Sequence, residues 1–361
     1  MIRPIQSWMI MLVVCQAMCT IETNAQQPLI KPARPASTAI ISDQSFADTL
    51  PDTAVASEGL PSGNLADNNF NSYGNYDAWG GCQHGNACGC DSGLFGYGII
   101  KRSDHCFDSF ISPMTNPVFF EDPRSLTEAR AIFINHRVPG AVGGGTVRLY
   151  ALQLRARVTD NISVIATKDG YITSSNPLIN DGWADLAAGL KFNLFRDVEN
   201  QKLLSAGFTY EMTNGSARAL QGNGDGELNI FVTGGRKIGC RSHWISAGGF
   251  RIPLDSDAES SSFYWSNHLD YMVRSGIYTF VETNWYSWTR SGAGGVPGVE
   301  GLDLFNFGST GVTGNDIVTG ALGLKLKPSG NSEIGFAYEI PLTDRRDVLA
   351  NRFTFDWIFR Y

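Results

Sequence analysis

Beyond its first two dozen residues the sequence has no apolar run long enough for a membrane helix, which needs roughly 18 or more continuous apolar residues. If this chain enters a bilayer, it does so with strands. Charge is also scarce: Asp, Glu, Lys and Arg make up 17% of the chain, and the formal net charge is −7. From Arg124 to the C-terminus 23 basic residues balance 23 acidic ones, whereas the part before it has 5 and 12. With no basic face to offer, the chain is not expected to bind nucleic acid. It has no Cys-x-x-Cys-His haem-attachment sequence and no loop with EF-hand spacing, and no cofactor or metal is expected.

The N-terminus reads as a signal peptide over residues 1–25. Arg3 supplies the positive end, Trp8 to Met18 the apolar stretch, and Thr23-Asn24-Ala25 the small-residue cleavage site before Gln26. Cys15 and Cys19 follow Val14 and Met18 rather than small residues, which argues against a lipoprotein anchor. Residues 26–80, rich in Pro, Ser, Ala, Asp and Asn without periodicity, read as a disordered linker. Residues 81–123 form a Cys-rich segment, periplasmic or plugging. Its run Ser112-Pro113-Met114-Thr115-Asn116-Pro117 should be irregular, because each proline biases its predecessor away from helix.

Residues 124–361 carry a two-residue period. In the last stretch Phe353, Phe355, Trp357, Phe359 and Tyr361 alternate with Arg352, Thr354, Asp356 and Arg360, so one strand face is aromatic and the other polar. Tyr150 to Val158, Ala184 to Leu194, Leu204 to Met212 and Ile334 to Ile340 alternate similarly, whereas Ile277 to Trp288 carries aromatics on both faces. About twelve strands are predicted, beginning near Ser125, Thr146, Asn161, Trp183, Gln201, Gly226, Arg241, Ser260, Gly276, Asn315, Asn331 and Ala350. Connections after even-numbered strands are tight. Those after odd-numbered strands are longer, up to the Gly-rich Arg290 to Gly314. That alternation predicts an all-β, antiparallel up-and-down transmembrane β-barrel with both ends in the periplasm. A soluble sandwich or barrel also alternates, but it seldom puts five aromatics on one face of its last strand.

The terminal Phe353, Phe355, Trp357, Phe359 and Tyr361 resemble the C-terminal signal that the barrel assembly machinery of bacterial outer membranes recognises. The twelve-strand layout resembles the transporter-like barrels of phenol meta-pathway degradation. The resemblance implies an outer-membrane channel or transporter for small solutes, hydrophobic or aromatic ones included, with outer-membrane lipid and the assembly machinery as partners.

Cys82, Cys88, Cys90, Cys106 and Cys240 are disulfide candidates for an oxidising compartment, and their odd number leaves at least one to pair elsewhere or stay free. A zinc reading through Cys82, His84, Cys88, Cys90, His105 and Cys106 has donors enough but no standard spacing. Ser266, His268 and Asp270 share a strand face, yet i, i+2 neighbours lie about 7 Å apart, too far for a direct relay. A polar stripe is the better reading, and no enzyme is expected. His136 and His243 stand isolated, and Gly222 to Glu227 reads as a flexible turn rather than a calcium loop. Arg155, Arg157, Lys191, Glu211, Glu282, Lys325, Glu333, Glu339, Asp356 and Arg360 are the candidates for a lumen of mixed sign and hence weak ion selectivity. Twelve strands would enclose a narrow pore, constricted by Arg290 to Gly314 or by the Cys-rich segment. The alternative is a structural or adhesive barrel tethering envelope layers, which a filled, ion-paired interior would favour. A hydrolase comes third.

Overall fold

The computed structural model describes residues 98–361. The expected signal peptide (1–25), the expected linker (26–80), and Cys82, Cys88 and Cys90 lie outside the described residues. Alternating side chains from Glu128 onward produce fourteen strand segments. They are β1 (Glu128–Arg137), β2 (Thr146–Arg157), β3 (Ile162–Lys168), β4 (Tyr171–Ser174), β5 (Gly182–Trp183), β6 (Leu186–Asp197) and β7 (Lys202–Met212), followed by β8 (Glu227–Ile238), β9 (Ser242–Pro253), β10 (Ser261–Arg274), β11 (Ile277–Arg290), β12 (Asp316–Ser329), β13 (Ser332–Pro341) and β14 (Asn351–Arg360). All neighbours are antiparallel. β1 pairs with β2 on one side and along its whole length with β14 on the other, which closes the sheet. β3 and β4 occupy one position beside β2, and β5 and β6 the next, so the fourteen segments make twelve staves of a barrel. Closure leaves the sheet no free terminal strand, as a structure in hydrocarbon requires.

The two faces are inverted relative to a soluble protein. Leu322 is 69% exposed and Leu152 50%, with Trp357, Phe359, Ile230 and Val273 also turned outward, while Arg352, Thr354, Asp356 and Arg360 on β14 are buried inside. A continuous exposed apolar belt on this scale is far larger than a water-facing surface tolerates, whereas a bilayer favours it. The aromatics on both faces of β11 also have a physical reason. Tyr278, Phe280, Tyr286 and Trp288 are buried against chain that fills the barrel, and Trp285 packs edge-on to Phe263 at 5.5 Å on the other face.

One stretch departs from the even period. Ala184 and Asp185 are both buried, and alternation restarts at Leu186, because the stave breaks between β5 and β6. The neighbouring stave breaks at Asp169-Gly170, between β3 and β4. Gly170 has φ +111°, and a Cβ there would sit 2.3 Å from the Tyr150 carbonyl oxygen, so only glycine fits. The connections after β2, β6, β8, β10 and β12 are short. The longest on the opposite end, residues 291–315 between β11 and β12, folds back into the bore.

Replacing Leu322 by Arg, in the middle of β12 on the exposed belt, should destabilise the barrel in lipid vesicles by about 2–4 kcal/mol. Urea unfolding in vesicles measures this. An unchanged midpoint would mean that this face does not meet hydrocarbon.

Candidate functional site

The bore is filled from both ends. From the short-turn end, residues 103–127 rise into the barrel and return to the start of β1. Beyond a single 3-10 turn at His105–Phe107, the prolines keep this segment irregular and leave its carbonyls open, and wall side chains take them up. Arg130 donates to Pro113 O at 2.8 Å, Gln153 to Pro117 O at 2.8 Å and Ser205 to Pro123 O at 2.7 Å. The turn at its tip is made by Asn116, left-handed at φ 52°, whose carbonyl accepts from Phe119 N and Phe120 N at 3.1 and 2.8 Å.

Around this segment lies an ionic layer. Arg155 forks onto Glu121, with Nη2 to Oε2 at 2.7 Å, and also reaches Glu128 at 3.3 Å; Lys191 meets Glu121 at 2.7 Å and the Asp122 carbonyl at 2.6 Å. Arg124 pairs with Asp122 at 2.7 Å and donates to Phe110 O at 2.9 Å. Glu333 is met by Arg360 at 2.6 Å, Lys325 at 3.3 Å and Lys327 at 3.4 Å, and Asp356 by Arg130 at 2.8 Å and Lys325 at 3.1 Å. The wall contributes six cations to this layer (Arg130, Arg155, Lys191, Lys325, Lys327 and Arg360) against three carboxylates (Glu128, Glu333 and Asp356). The inserted segment adds two carboxylates and one Arg, together with carbonyls such as Ser112 O, 2.6 Å from Lys325. Cationic walls therefore depend on the segment for acceptors.

Above this layer Glu282 accepts from Met114 N at 2.8 Å, from Thr115 N at 2.6 Å and from the Thr115 hydroxyl, and pairs with His268 at 2.7 Å. His268 also lies 3.4 Å from Asp270, which bonds His243 at 2.8 Å. The Ser266 hydroxyl accepts from Asn116 at 2.9 Å, and among the described residues no hydrogen bond joins Ser266 to His268, so the three do not assemble a relay. His136 sits between Val348 O, at 2.7 Å, and Arg352.

The tip of the segment meets residues 291–315 coming from the long-loop end. Val118 and Phe119 pack with Tyr264, Tyr286, Trp288, Leu302 and Val312; Phe119 stacks on Tyr264 at 5.1 Å, and Arg251 lies over the Phe119 ring at 4.6 Å. Asp303 anchors the loop on Arg352 at 2.8 Å, and Arg251 donates to Leu302 O. Glu300 caps the loop, accepting from Ser260 Oγ at 2.7 Å and Ser309 N at 2.8 Å.

Arg155, Lys191, Glu211, Glu282, Lys325, Glu333, Glu339, Asp356 and Arg360 all sit buried on the inner face. Arg157 has the same parity but lies at the short-turn rim, where it meets Asp160 at 2.7 Å. Glu211 pairs with Lys168 near the long-loop end, and Glu339 accepts from Asn284 at 3.1 Å. Strand parity also marks Glu128, Arg130, Lys327 and Arg352 as inward-facing. Glu121 and Asp122, the acceptors at the centre of the layer, belong to no strand and carry no such signal. Cys106 packs beside Leu203 and Ile245 at the short-turn end, where Cys240 occupies the turn between β8 and β9. In the loop from Gly222 to Glu227, the Asp225 carbonyl accepts from Tyr210 and Glu227 is held by Arg251 at 2.7 Å. Among the described residues no group of His, Cys, Asp and Glu is arranged to hold a metal ion.

No family model and no curated protein matches the chain. Among solved structures, an outer membrane channel from Pseudomonas putida F1 is similar at TM-score 0.50 and 10% identity, over 70% of this chain and 100% of that one. The NanC porin aligns at TM-score 0.42 and 8% identity over 65% and 98%, and the KdgM porin at 0.40 and 9% over 64% and 99%. The first of these likenesses concerns the fold alone.

Glu121→Gln leaves Arg155 and Lys191 buried with a weakened acceptor, and should cost about 3–5 kcal/mol if the whole pair is lost. Thermal unfolding in detergent should show a clear drop in Tm, and an unchanged Tm would show that the inserted segment does not support the wall. At the long-loop end, burial and then the neighbouring Glu227 and Glu211 push the Glu259 carboxyl up to about 8. The folded loop then holds a proton that the unfolded chain releases, so its stability is highest at acid pH and falls as pH rises through about 8. Proteolysis at residues 254–260 should be faster at about pH 9 than at about pH 6, and Glu259→Gln should flatten that difference. Equal rates in the unmodified protein would contradict the assignment.

Proposed function

We propose that the chain is a gated channel for small solutes in a bacterial outer membrane, closed in the state described, with apolar or aromatic compounds among its solutes. One observation carries this reading: among the described residues, the inserted stretch 107–123 makes no backbone–backbone hydrogen bond to the barrel wall. Its backbone bonds are internal, and its anchors are wall side chains. Withdrawing it breaks ion pairs and side-chain bonds but no rung of the sheet, so the barrel can persist with the short-turn half of its bore cleared, residues 291–315 still closing the other end. The similarity in fold to an outer membrane channel supports the same reading.

In this proposal the short turns and the N-terminal segment face the periplasm. Cys106 and Cys240, at that same end, would then form disulfides with the N-terminal cysteines in an oxidising compartment. The aromatic terminal strand would be read by the barrel assembly machinery. A structural barrel that tethers envelope layers is the second reading. The filled, ion-paired interior and the acidic chain before Arg124 favour it.

Single-channel recording in planar bilayers separates the two. The mature protein should be mostly closed. A variant starting near Arg124 and with residues 295–310 deleted, so that both ends are clear, should conduct in discrete steps with little ion preference, because the buried strand residues of its wall carry nine cations against eight carboxylates. Silence from both, with both still heat-modifiable barrels, would favour the structural reading.

A further inference from the structure

The breaks in the two staves coincide with an opening in the wall. Beside β2, the ladder to β3 covers Leu154 to Arg157 and the ladder to β4 covers Val147 to Tyr150, so Ala151, Leu152 and Gln153 have no strand partner on that side. The side chain of Asp169 substitutes for one missing rung, accepting from Leu152 N at 2.9 Å, and Gly170 O accepts from Ala184 N at 2.9 Å. Where the ladder is missing, the outer face carries a groove of about 720 Å³, within the size range of small-molecule sites. Four aromatic side chains, Phe133, Tyr150, Trp183 and Phe355, line it among smaller, mainly apolar residues.

Directly behind it, inside the barrel, is a second and much smaller void of about 20 Å³, room for about one water. Its far side is made by Pro117 and Val118 of the inserted segment and by Leu304 and Phe305 of the long loop. The two spaces share Ile132, Ala151, Asp169 and Ala184. Four residues, two of them alanine, therefore border both the outer groove and the void where the two inserted segments meet.

We infer that this break is a lateral portal: a small aromatic, apolar molecule seats in the groove and passes between the bilayer core and the barrel interior through the wall at Asp169-Gly170. The inference rests on the transport reading and deepens it, naming the solute class and the route. The chemistry of the occupant follows from the lining. Four aromatic rings offer stacking and edge contacts to another ring. The one carboxylate is already engaged by a backbone amide, and the groove opens on a face that meets hydrocarbon, not water. Because the axis is occupied from both ends, a side entry also needs the smaller displacement, that of Val118 or Phe305 side chains rather than of the ionic layer.

Photolabelling of the full-length protein in phosphatidylcholine vesicles tests this, with phenyl(trifluoromethyl)diazirine as a membrane-partitioning aromatic probe and mass spectrometry to locate the adducts. Adducts are expected at Trp183 and Leu152 outside and also at Val118 and Phe305 inside. Ala184→Trp and, separately, Ala151→Trp should fill the shared wall and abolish the inner adducts, leaving the outer ones and the heat-modifiable barrel. Two results overturn the portal. Inner adducts absent from the unmodified protein would mean that the groove is only a lipid-contact surface. Inner adducts that persist in both folded variants would mean that the probe enters along the axis, in which case the channel reading stands and the lateral route falls. Liposome swelling with a water-soluble solute, read on the same preparations, reports the axial route independently.

Discussion

A buried charge must be met by a partner, and in the layer around the inserted segment the wall carries six cations against three carboxylates of its own. Removing an ion from water costs several kcal/mol even after relaxation, and the cost is recovered only where acceptors are placed well. Arg155, Lys191, Lys325 and Lys327 find theirs in Glu121, the Asp122 and Ser112 carbonyls, and the Asp108 and Phe110 carbonyls, all from the inserted segment. The segment, in turn, has prolines at 113, 117 and 123, and its free carbonyls are met by wall side chains, those cations together with Arg130, Gln153 and Ser205. Wall and insert complete one another. The rest of the interior follows: the tip at Asn116, the Glu282 and His268 rung above it, and the apolar meeting of Val118 and Phe119 with the long loop.

The outer surface obeys the opposite rule. The strands place their apolar residues outward because the closed ladder has already satisfied the backbone, and the charged residues go inward to the insert. Where the ladder is incomplete, at Asp169-Gly170 and between Trp183 and Leu186, the structure uses a side-chain carboxylate and a glycine that admits close approach of the Tyr150 carbonyl. A strand run straight through would have been simpler to build. The break lies over the small void bounded by Pro117, Val118, Leu304 and Phe305 of the two inserted segments.

The fold was legible in the sequence because a period of two needs only residue polarity to be seen. The twelve expected strand starts fall close to the observed staves, and β14 places Phe353, Trp357 and Phe359 outside as its alternation requires. The stave breaks were not legible. Ala184 looked like one more member of the outward set, and a two-residue interruption changes parity without leaving a polarity mark. Aromatics on both faces of β11 were a visible sign that the bore is packed rather than wet, since Tyr286 and Trp288 have no reason to line water. Inward charges such as Lys191, Glu282 and Glu333 can be picked out by parity. Their partners cannot, because Glu121 and Asp122 lie in irregular chain and meet Arg155 and Lys191 only through the closed barrel.

The most direct test of this dependence of wall on insert is amide hydrogen exchange, resolved to single residues, in the full-length protein in lipid. The amides of Ser112, Met114 and Thr115 donate to wall carboxylates, to Glu333 at 3.1 Å and to Glu282 at 2.8 and 2.6 Å. If the insert completes the interior, these three exchange as slowly as the amides of β11 and β13, whose strands carry those carboxylates. Exchange within seconds at these amides, beside slow strands, would show a wall that keeps its charges without the insert and would contradict the account.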